Sequence, residues 1–177
     1  MLLSTYRLKP HPDHPPLHVI AVEVEVLGGH DDLLLTYHVR GYDGVVVPDW
    51  LSSTRADQLW RTTCFELFLL FDDDERYVEF NFSPSTQWAA YAFHGYRDGM
   101  TPLFRDIDPH IERSADGIEV DCDLGGLPNG ELRMALSAVL EEEGGVKSYW
   151  ALAHPPGPPD FHHPACFAAR LPAVGEP

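Results

Sequence analysis

Residues 64–71, CFELFLLF, decide the fold. Apolar side chains occupy both alternating sets of positions in this segment, which is typical of a central β-strand covered on both faces. Glu66 is the one charged residue within it. The segment therefore predicts a buried strand with a carboxyl group set into one of its faces.

The segments on both sides of this run also favour strands, because their apolar residues repeat every second position. We predict strands at 20–26, 33–39, 78–82, 88–96, 118–124, 132–143 and 148–154. In the first of these, Ile20 is expected to face the core together with Val22 and Val24. Residues 132–143 contain helix-favouring Ala, Leu, Met and Glu, but their alternation favours a strand. Gly28-Gly29 and Gly144-Gly145 are expected to form hairpin turns.

About nine short strands separated by turns predict an all-β fold, an antiparallel β-sandwich of the jelly-roll or immunoglobulin-like type. The chain has 177 residues, which fits a single domain spanning 1–177. Residues 155–177 are rich in proline, and we expect a rigid loop followed by a short closing strand. The sequence contains neither repeats nor a low-complexity linker.

The chain is strongly acidic, with 12 Lys and Arg residues against 28 Asp and Glu residues and a formal charge of -16. This charge repels phosphate backbones and anionic lipid heads, so we expect neither nucleic acid nor a membrane as partner. The N-terminus lacks the apolar core of a signal peptide, and the three cysteines are far apart. We therefore expect a cytoplasmic protein with reduced thiols, of unspecified oligomeric state.

Two carboxyl groups are candidates for chemistry. Glu66 and Glu79 are expected on neighbouring strands, and a pair of carboxyls a few ångströms apart is what a glycosidase requires. The alternative is a pair of solvated carboxylates on one strand face. Phosphate-binding, dinucleotide-binding and nucleophile-elbow motifs are absent from the sequence, which favours a protein that is not an enzyme.

Histidines and aspartates provide candidate metal ligands. His154, His162 and His163 could bind zinc, although adjacent residues of an extended strand point to opposite faces. Their alternative role is to anchor the proline-rich loop through hydrogen bonds to carbonyl groups. Residues 72–74, three consecutive aspartates, could bind calcium or form a solvated turn. We predict no cofactor, with calcium and haem as alternatives.

Aromatic and polar residues together suggest a sugar-binding site, because sugar rings stack their C–H faces on aromatic rings while their hydroxyls need polar partners. The candidate set is Trp60, Arg61, Glu66, Trp88, Tyr91, Trp150 and Phe161. For Trp88, Tyr91 and Trp150 the pattern favours burial in the core. For Trp60 both roles are open.

Four motifs resemble the DOMON-like superfamily, which includes the family 9 carbohydrate-binding modules. They are DQLW at 57–60, CFELFL at 64–69, the strand at 77–84, and FHHPACF at 161–167. The order of elements agrees from Trp50 to Leu171, and the blocks SYWAL at 148–152 and FHHP at 161–164 are similar to bacterial DOMON-like proteins. The resemblance implies a β-sandwich that binds small ligands.

The resemblance also implies roles for individual residues. Family 9 modules hold a terminal sugar between two tryptophans, with a glutamate six positions after the first. Trp60 and Glu66 have this spacing, and the second ring falls on Phe161. The family's strand arginine falls near Glu79, which reverses the charge, and its asparagine is replaced within residues 155–159.

Other DOMON domains bind haem through methionine and histidine. By that resemblance the candidate ligands here are Met100 together with His154 or His162.

The sequence as a whole predicts a non-catalytic domain that binds a small saccharide or similar polyol. Trp60 and Phe161 would stack on the sugar, Glu66 would accept hydrogen bonds, and Arg61, His154 and His162 would donate them. The predicted site also includes Glu79, Asn81 and Trp88. The alternatives are a haem module, a hydrolase or metal-dependent enzyme centred on Glu66 and the histidines, and a domain whose edge strands pair with another protein. The acidic charge predicts a neutral or cationic ligand rather than an anionic one.

Overall fold

A computed structural model describes residues 2–29, 31–71 and 75–171. In these ranges the regular structure consists of β-strands and short 3-10 turns. The strands are β1 (Leu2–Pro10), β2 (Ala21–Gly28), β3 (Asp32–Arg40), β4 (Cys64–Phe71), β5 (Tyr77–Phe82), β6 (Trp88–Phe93), β7 (Thr101–Pro102), β8 (His110–Arg113), β9 (Gly117–Asp123), β10 (Leu132–Glu142), β11 (Val146–Ala151) and β12 (Ala169–Leu171). None of the helical turns in these ranges is long and apolar enough to span a membrane.

The strands form two antiparallel layers. The first sheet has the order β8-β9-β3-β2-β1, and the second has the order β7-β6-β5-β4-β10-β11 with β12 also paired to β10. Strand β1 connects them, because its first part pairs with β2 whereas Lys9 and Pro10 pair with β11. The predicted all-β antiparallel sandwich is confirmed.

The core lies between the inner faces of the two sheets. Leu35 and Tyr37 of the first sheet and Phe65, Leu67 and Phe80 of the second are fully buried there. Burying one such side chain contributes about 2 kcal/mol to folding. The alternation seen in the sequence therefore arises because every second residue of strands such as β3 and β4 enters this core.

The outer face of the second sheet is also covered, by the segment at 55–61 and the proline-rich segment at 152–168. Cys64 and Phe68 of β4 pack on this face against Tyr77 of β5 and against Phe161 and Phe167 of the covering segment. This second cluster explains why β4 is apolar on both faces, as predicted for a central strand. It also surrounds Glu66, the one charged residue of β4.

Some predicted details differ from the structure. Strands β1, β7 and β8 were not predicted. Ile20 was expected to face the core, but it precedes β2 and is 65% exposed. The strand predicted at 88–96 ends at Phe93, where the chain enters a turn, and the strand predicted at 148–154 ends at Ala151. His154 is therefore a loop residue. The aspartates at 72–74 lie outside the described residues.

Candidate ligand-binding site

A cavity of about 380 Å³ opens on the outer face of the second sheet. This volume is within the range of small-molecule binding sites. The cavity is lined by Trp60, Glu66, Glu79, Phe93, Arg97, Met100, Val139, Tyr149, Pro159, Phe161 and His162. Strands β4, β5, β10 and β11 provide its floor, and the segments at 58–61, 94–100 and 152–168 provide its walls.

The floor holds two buried carboxyl groups on neighbouring strands. Glu66 of β4 lies opposite Asn81 of β5 and Ser137 of β10, and Glu79 lies on the same face as Asn81, two residues earlier. The Ser137 hydroxyl donates a hydrogen bond to Glu66 Oε2 at 2.9 Å. Asn81 Nδ2 donates to Glu79 Oε1 at 2.9 Å. Each carboxyl is thus fixed by one neutral donor.

Burial changes the ionisation of both carboxyls. Burial, with a further contribution from the charge of Glu79, raises the pKa of Glu66 well above its usual value, and the Ser137 hydrogen bond opposes this only in part. Burial raises the pKa of Glu79 to about 7, against the opposing effects of Asn81 and Arg97. At neutral pH the pair is therefore partly protonated, so it can donate hydrogen bonds as well as accept them.

His162 presents a hydrogen-bond donor beside Glu79. The Tyr77 hydroxyl accepts a hydrogen bond from the Arg97 backbone N–H at 3.2 Å, and it lies 2.8 Å from His162 Nδ1. Burial raises the pKa of Tyr77 to about 12 and, with the charge of Arg97, lowers the pKa of His162 to about 4. The ring of His162 is therefore neutral, and in the tautomer in which the Tyr77 hydroxyl donates to Nδ1 the ring proton is on Nε2. This nitrogen is 3.7 Å from Glu79 Oε2, too far for a direct hydrogen bond.

Arg97 is the single Arg or Lys side chain among the described residues that line the cavity. It lies in the turn after β6 with a φ of 52°, and its guanidinium forms an ion pair with Asp160 at 2.8 Å. The Tyr96 hydroxyl bonds to the same carboxylate. The positive charge of Arg97 is therefore already balanced at the cavity rim.

Aromatic rings form much of the cavity wall. Trp60 is held in the turn Leu59–Arg61, where Leu59 is buried and Gln58 adopts a left-handed conformation with a φ of 62°. Trp60 is 38% exposed, and its ring meets that of Tyr91 edge-on, with ring centroids 6.4 Å apart. Phe161 is buried, 6.2 Å from the ring of Tyr149. Trp60 therefore presents the open aromatic surface, and Phe161 is enclosed.

The cavity brings together five of the nine residues predicted for the site. These are Trp60, Glu66, Glu79, Phe161 and His162. Asn81 lies beside them, bonded to Glu79, and its buried Oδ1 has no hydrogen-bond partner.

The other three predicted residues do not line the cavity. Trp88 belongs to the core between the sheets, on the opposite face, with the Arg55 guanidinium 4.6 Å from its ring. It cannot stack on a ligand in this cavity. His154 Nε2 bonds to the carbonyl of Lys9 at 2.7 Å, so this histidine anchors its loop. Arg61 is exposed, and its backbone carbonyl accepts a hydrogen bond from the Lys147 ammonium.

The candidate metal ligands are not assembled. In the part of the chain that the structure describes, no group of three or more His, Cys, Asp or Glu side chains could hold a metal ion. His163 Nδ1 accepts a hydrogen bond from the Ala165 backbone N–H.

The haem ligands suggested by the resemblance fit poorly. Met100 and His162 both line the cavity. However, Nδ1 of His162 is hydrogen-bonded to Tyr77, and Nε2 lies 3.7 Å from Glu79 Oε2. A carboxyl group thus occupies the direction in which the ring would bind iron.

Several lining residues were not predicted. Phe93, Val139 and Tyr149 share the face of Glu66 and Glu79, so alternation extended outward from those two residues could have found them. Arg97 has no such signal, because it comes from a turn whose position depends on the whole fold.

Two solved structures are similar to this chain. One is a candidate carbohydrate-binding protein from Bacteroides uniformis, with a TM-score of 0.68, 15% identity, and coverage of 96% of this chain and 86% of that chain. The other is a family 9 carbohydrate-binding module from Caldicellulosiruptor kristjanssonii in complex with glucose, with a TM-score of 0.50, 14% identity, and coverage of 92% and 81%. At these identities the likeness shows the fold.

Sequence comparison adds nothing to this, because neither a protein-family model nor a curated protein matches the chain. The resemblance to DOMON-like proteins stays a prediction.

Proposed function

We propose that the protein binds a small saccharide in the cavity on the second sheet, without transforming it. The observation that carries this proposal is the combination of a buried polar floor, Glu66 and Glu79, with the open ring of Trp60. Sugars require both surfaces, since their C–H faces are apolar and their rims carry hydroxyls. Binding of glucose by a structural neighbour supports the same role for this fold.

The geometry suggests how a sugar would be held. A pyranose ring stacked on Trp60 would direct its hydroxyls toward the floor, where the two carboxyls offer both acceptors and donors. His162 Nε2–H, unpaired at 3.7 Å from Glu79, would donate to a hydroxyl between them. Phe161 would limit the depth of the cavity from the opposite wall.

A glycan array followed by titration calorimetry tests this proposal. We expect a saccharide to bind with one site per chain. We expect Trp60→Ala to weaken its affinity about 5- to 30-fold, because stacking on an aromatic ring contributes about 1 to 2 kcal/mol. Trp50→Ala is the matched control, because Trp50 is 68% exposed and does not line the cavity.

Two results would contradict the proposal. Equal affinity of wild type and Trp60→Ala would show that the saccharide binds elsewhere on the protein. Failure of every saccharide to bind would show that the ligand is not a saccharide. The ligand is also recovered after incubation and analysed by mass spectrometry. We expect it to be unchanged, whereas hydrolysis would favour the paired-carboxyl enzyme.

A further inference from the structure

The cavity floor lacks a positive charge for its two carboxyls. In the described ranges of the chain, no Lys or Arg forms an ion pair with Glu66 or Glu79. Arg97 is bound to Asp160, and His162 is neutral because burial lowers its pKa to about 4. A ligand can therefore supply the missing cation.

The floor also has more hydrogen-bond acceptors than donors. Glu66 and Glu79 have four oxygens between them when ionised, and the buried Oδ1 of Asn81 beside them has no partner. The donors facing these atoms are the Ser137 hydroxyl, one Asn81 amide and His162 Nε2. A group with several donors and no acceptor complements this set.

We propose that the cavity selects a saccharide that carries a protonated primary amine, that is, a hexosamine with a free amino group. The ammonium has three donors and a positive charge, and it would lie between Glu66 and Glu79. This inference rests on the proposed function, because it places the sugar ring of the same ligand on Trp60.

The surrounding groups favour this ligand over its relatives. Aromatic faces attract cations, and Trp60, Tyr149 and Phe161 line the same cavity. A neutral sugar leaves the two carboxyls without a counter-charge. An anionic sugar brings a further negative charge to a floor of two acidic groups, against the single rim cation Arg97 among the described lining residues.

Binding of an ammonium also predicts a change in protonation. The free pair holds protons at mildly acidic pH, because burial raises the pKa of Glu79 to about 7 and that of Glu66 well above its usual value. An ammonium stabilises the ionised carboxylates, so a hexosamine expels at least part of a proton on binding, whereas a neutral hexose does not. The other charged groups near the pair, Arg97 and Asp160, remain paired with each other.

Titration calorimetry at pH 6.5 with four probes tests the inference. The probes are glucosamine, glucose, N-acetylglucosamine and ethanolamine. We expect glucosamine to bind at least about 10-fold more tightly than the other three, since it alone combines the ring with the charge. Titrations in two buffers of different ionisation enthalpy should show proton release for glucosamine and none for glucose.

The outcomes separate the two proposals. If glucose or N-acetylglucosamine binds as tightly as glucosamine, the amine preference is wrong and the saccharide site stands. If ethanolamine binds as tightly as glucosamine, the ring contributes nothing and both proposals are wrong. If no sugar among the four and on the glycan array binds, the proposed function itself fails.

Charge-removing variants provide the second test. Glu66→Gln and Glu79→Gln keep the size of each side chain and an acceptor oxygen for Ser137 and for Asn81. We expect each to reduce the preference for glucosamine over glucose to within about 3-fold, because each removes one of the two carboxylates that would bind the ammonium. Glu119→Gln, on the exposed face of β9, is the matched control and should retain the preference. A preference that persists in both cavity variants would overturn the inference.

Discussion

At the scale of single residues, the main feature of the protein is a carboxyl group that is buried without a cationic partner among the described residues. Glu79 is 5% exposed and has one neutral hydrogen-bond donor, Asn81. Burial of an ionised carboxylate without a bound cation costs free energy, and the protein avoids part of this cost by holding the proton. Such a group reduces stability and is typical of a functional site.

The stability of the protein should therefore fall between pH 5 and pH 8 on account of Glu79. Its pKa is raised from 4.5 to about 7, so across this range the folded protein binds a proton that the unfolded chain has lost. Stability from a raised pKa is present at low pH and is lost as the pH rises through the folded value. We expect Glu79→Gln to gain about 2 kcal/mol relative to wild type between pH 5 and pH 8.

Urea unfolding at both pH values measures this difference. Only the change between wild type and variant is used, because other groups titrate in the same range. Glu119→Gln, an exposed glutamate on β9, should show no pH-dependent difference from wild type. If the curves of wild type and Glu79→Gln run parallel with pH, Glu79 is ionised throughout and our description of the floor is wrong.

Single residues also show the limits of sequence reasoning. Glu66 and Glu79 could be predicted on adjacent strands, because alternation fixes the face of a strand residue. Trp88 illustrates the opposite case, since Phe82 and Trp88 pair on the inner face and an aromatic residue is suited to either face. Arg97 comes from a turn, where neither period nor composition predicts which way a side chain points.

At the scale of elements, the strands that bury many side chains were predictable, whereas β1, β7 and β8 were not. Strand β10 was predicted correctly despite its helix-favouring composition, because its even-numbered residues enter the core. Strand β1 has few buried side chains, and β7 and β8 are very short, so their pairing depends on neighbours that are distant in sequence. The alternation of apolar residues in these three segments is therefore too weak to predict a strand.

The segment before β2 is tied to the end of β10 by one buried carboxylate. Glu142 accepts hydrogen bonds from the backbone N–H groups of Leu17, His18 and Val19. Replacing it removes three charge-assisted bonds and leaves amides unsatisfied. We expect Glu142→Ala to lower the free energy of unfolding by about 3 kcal/mol.

Chemical denaturation measures this loss, with Glu143→Ala as control. Glu143 is the next residue and is exposed, so its replacement should change stability by less than about 0.5 kcal/mol. Equal effects of the two substitutions would show that the carboxylate of Glu142 does not hold this segment.

At the scale of the whole molecule, the fold and the site have different origins in the sequence. The two-sheet arrangement follows from strand periodicity, and the likeness to carbohydrate-binding structures shows the same fold at 14% and 15% identity. The cavity forms only when the proline-rich segment at 152–168 covers the outer face of the second sheet. No local pattern predicts this covering, so composition and periodicity could name His162 and Phe161 as candidates but could not place them beside Glu66 and Glu79.

The overall charge of -16 now has a local counterpart. The acidic composition predicted that the protein does not bind anionic partners. The two buried carboxyls of the cavity give the same prediction for its ligand. Asp160 neutralises the one lining arginine, so the site does not compensate for the charge of the chain. The proposed preference of the cavity for a cationic ligand therefore agrees with the charge of the whole molecule.

The central claim is that the cavity on the second sheet is a sugar site. The most direct measurement is a crystal structure of the protein with glucosamine at saturating concentration. Our account predicts the sugar ring against Trp60, with its polar groups within hydrogen-bond distance of Glu66 and Glu79. A sugar bound on another surface, with this cavity holding only water, would contradict it.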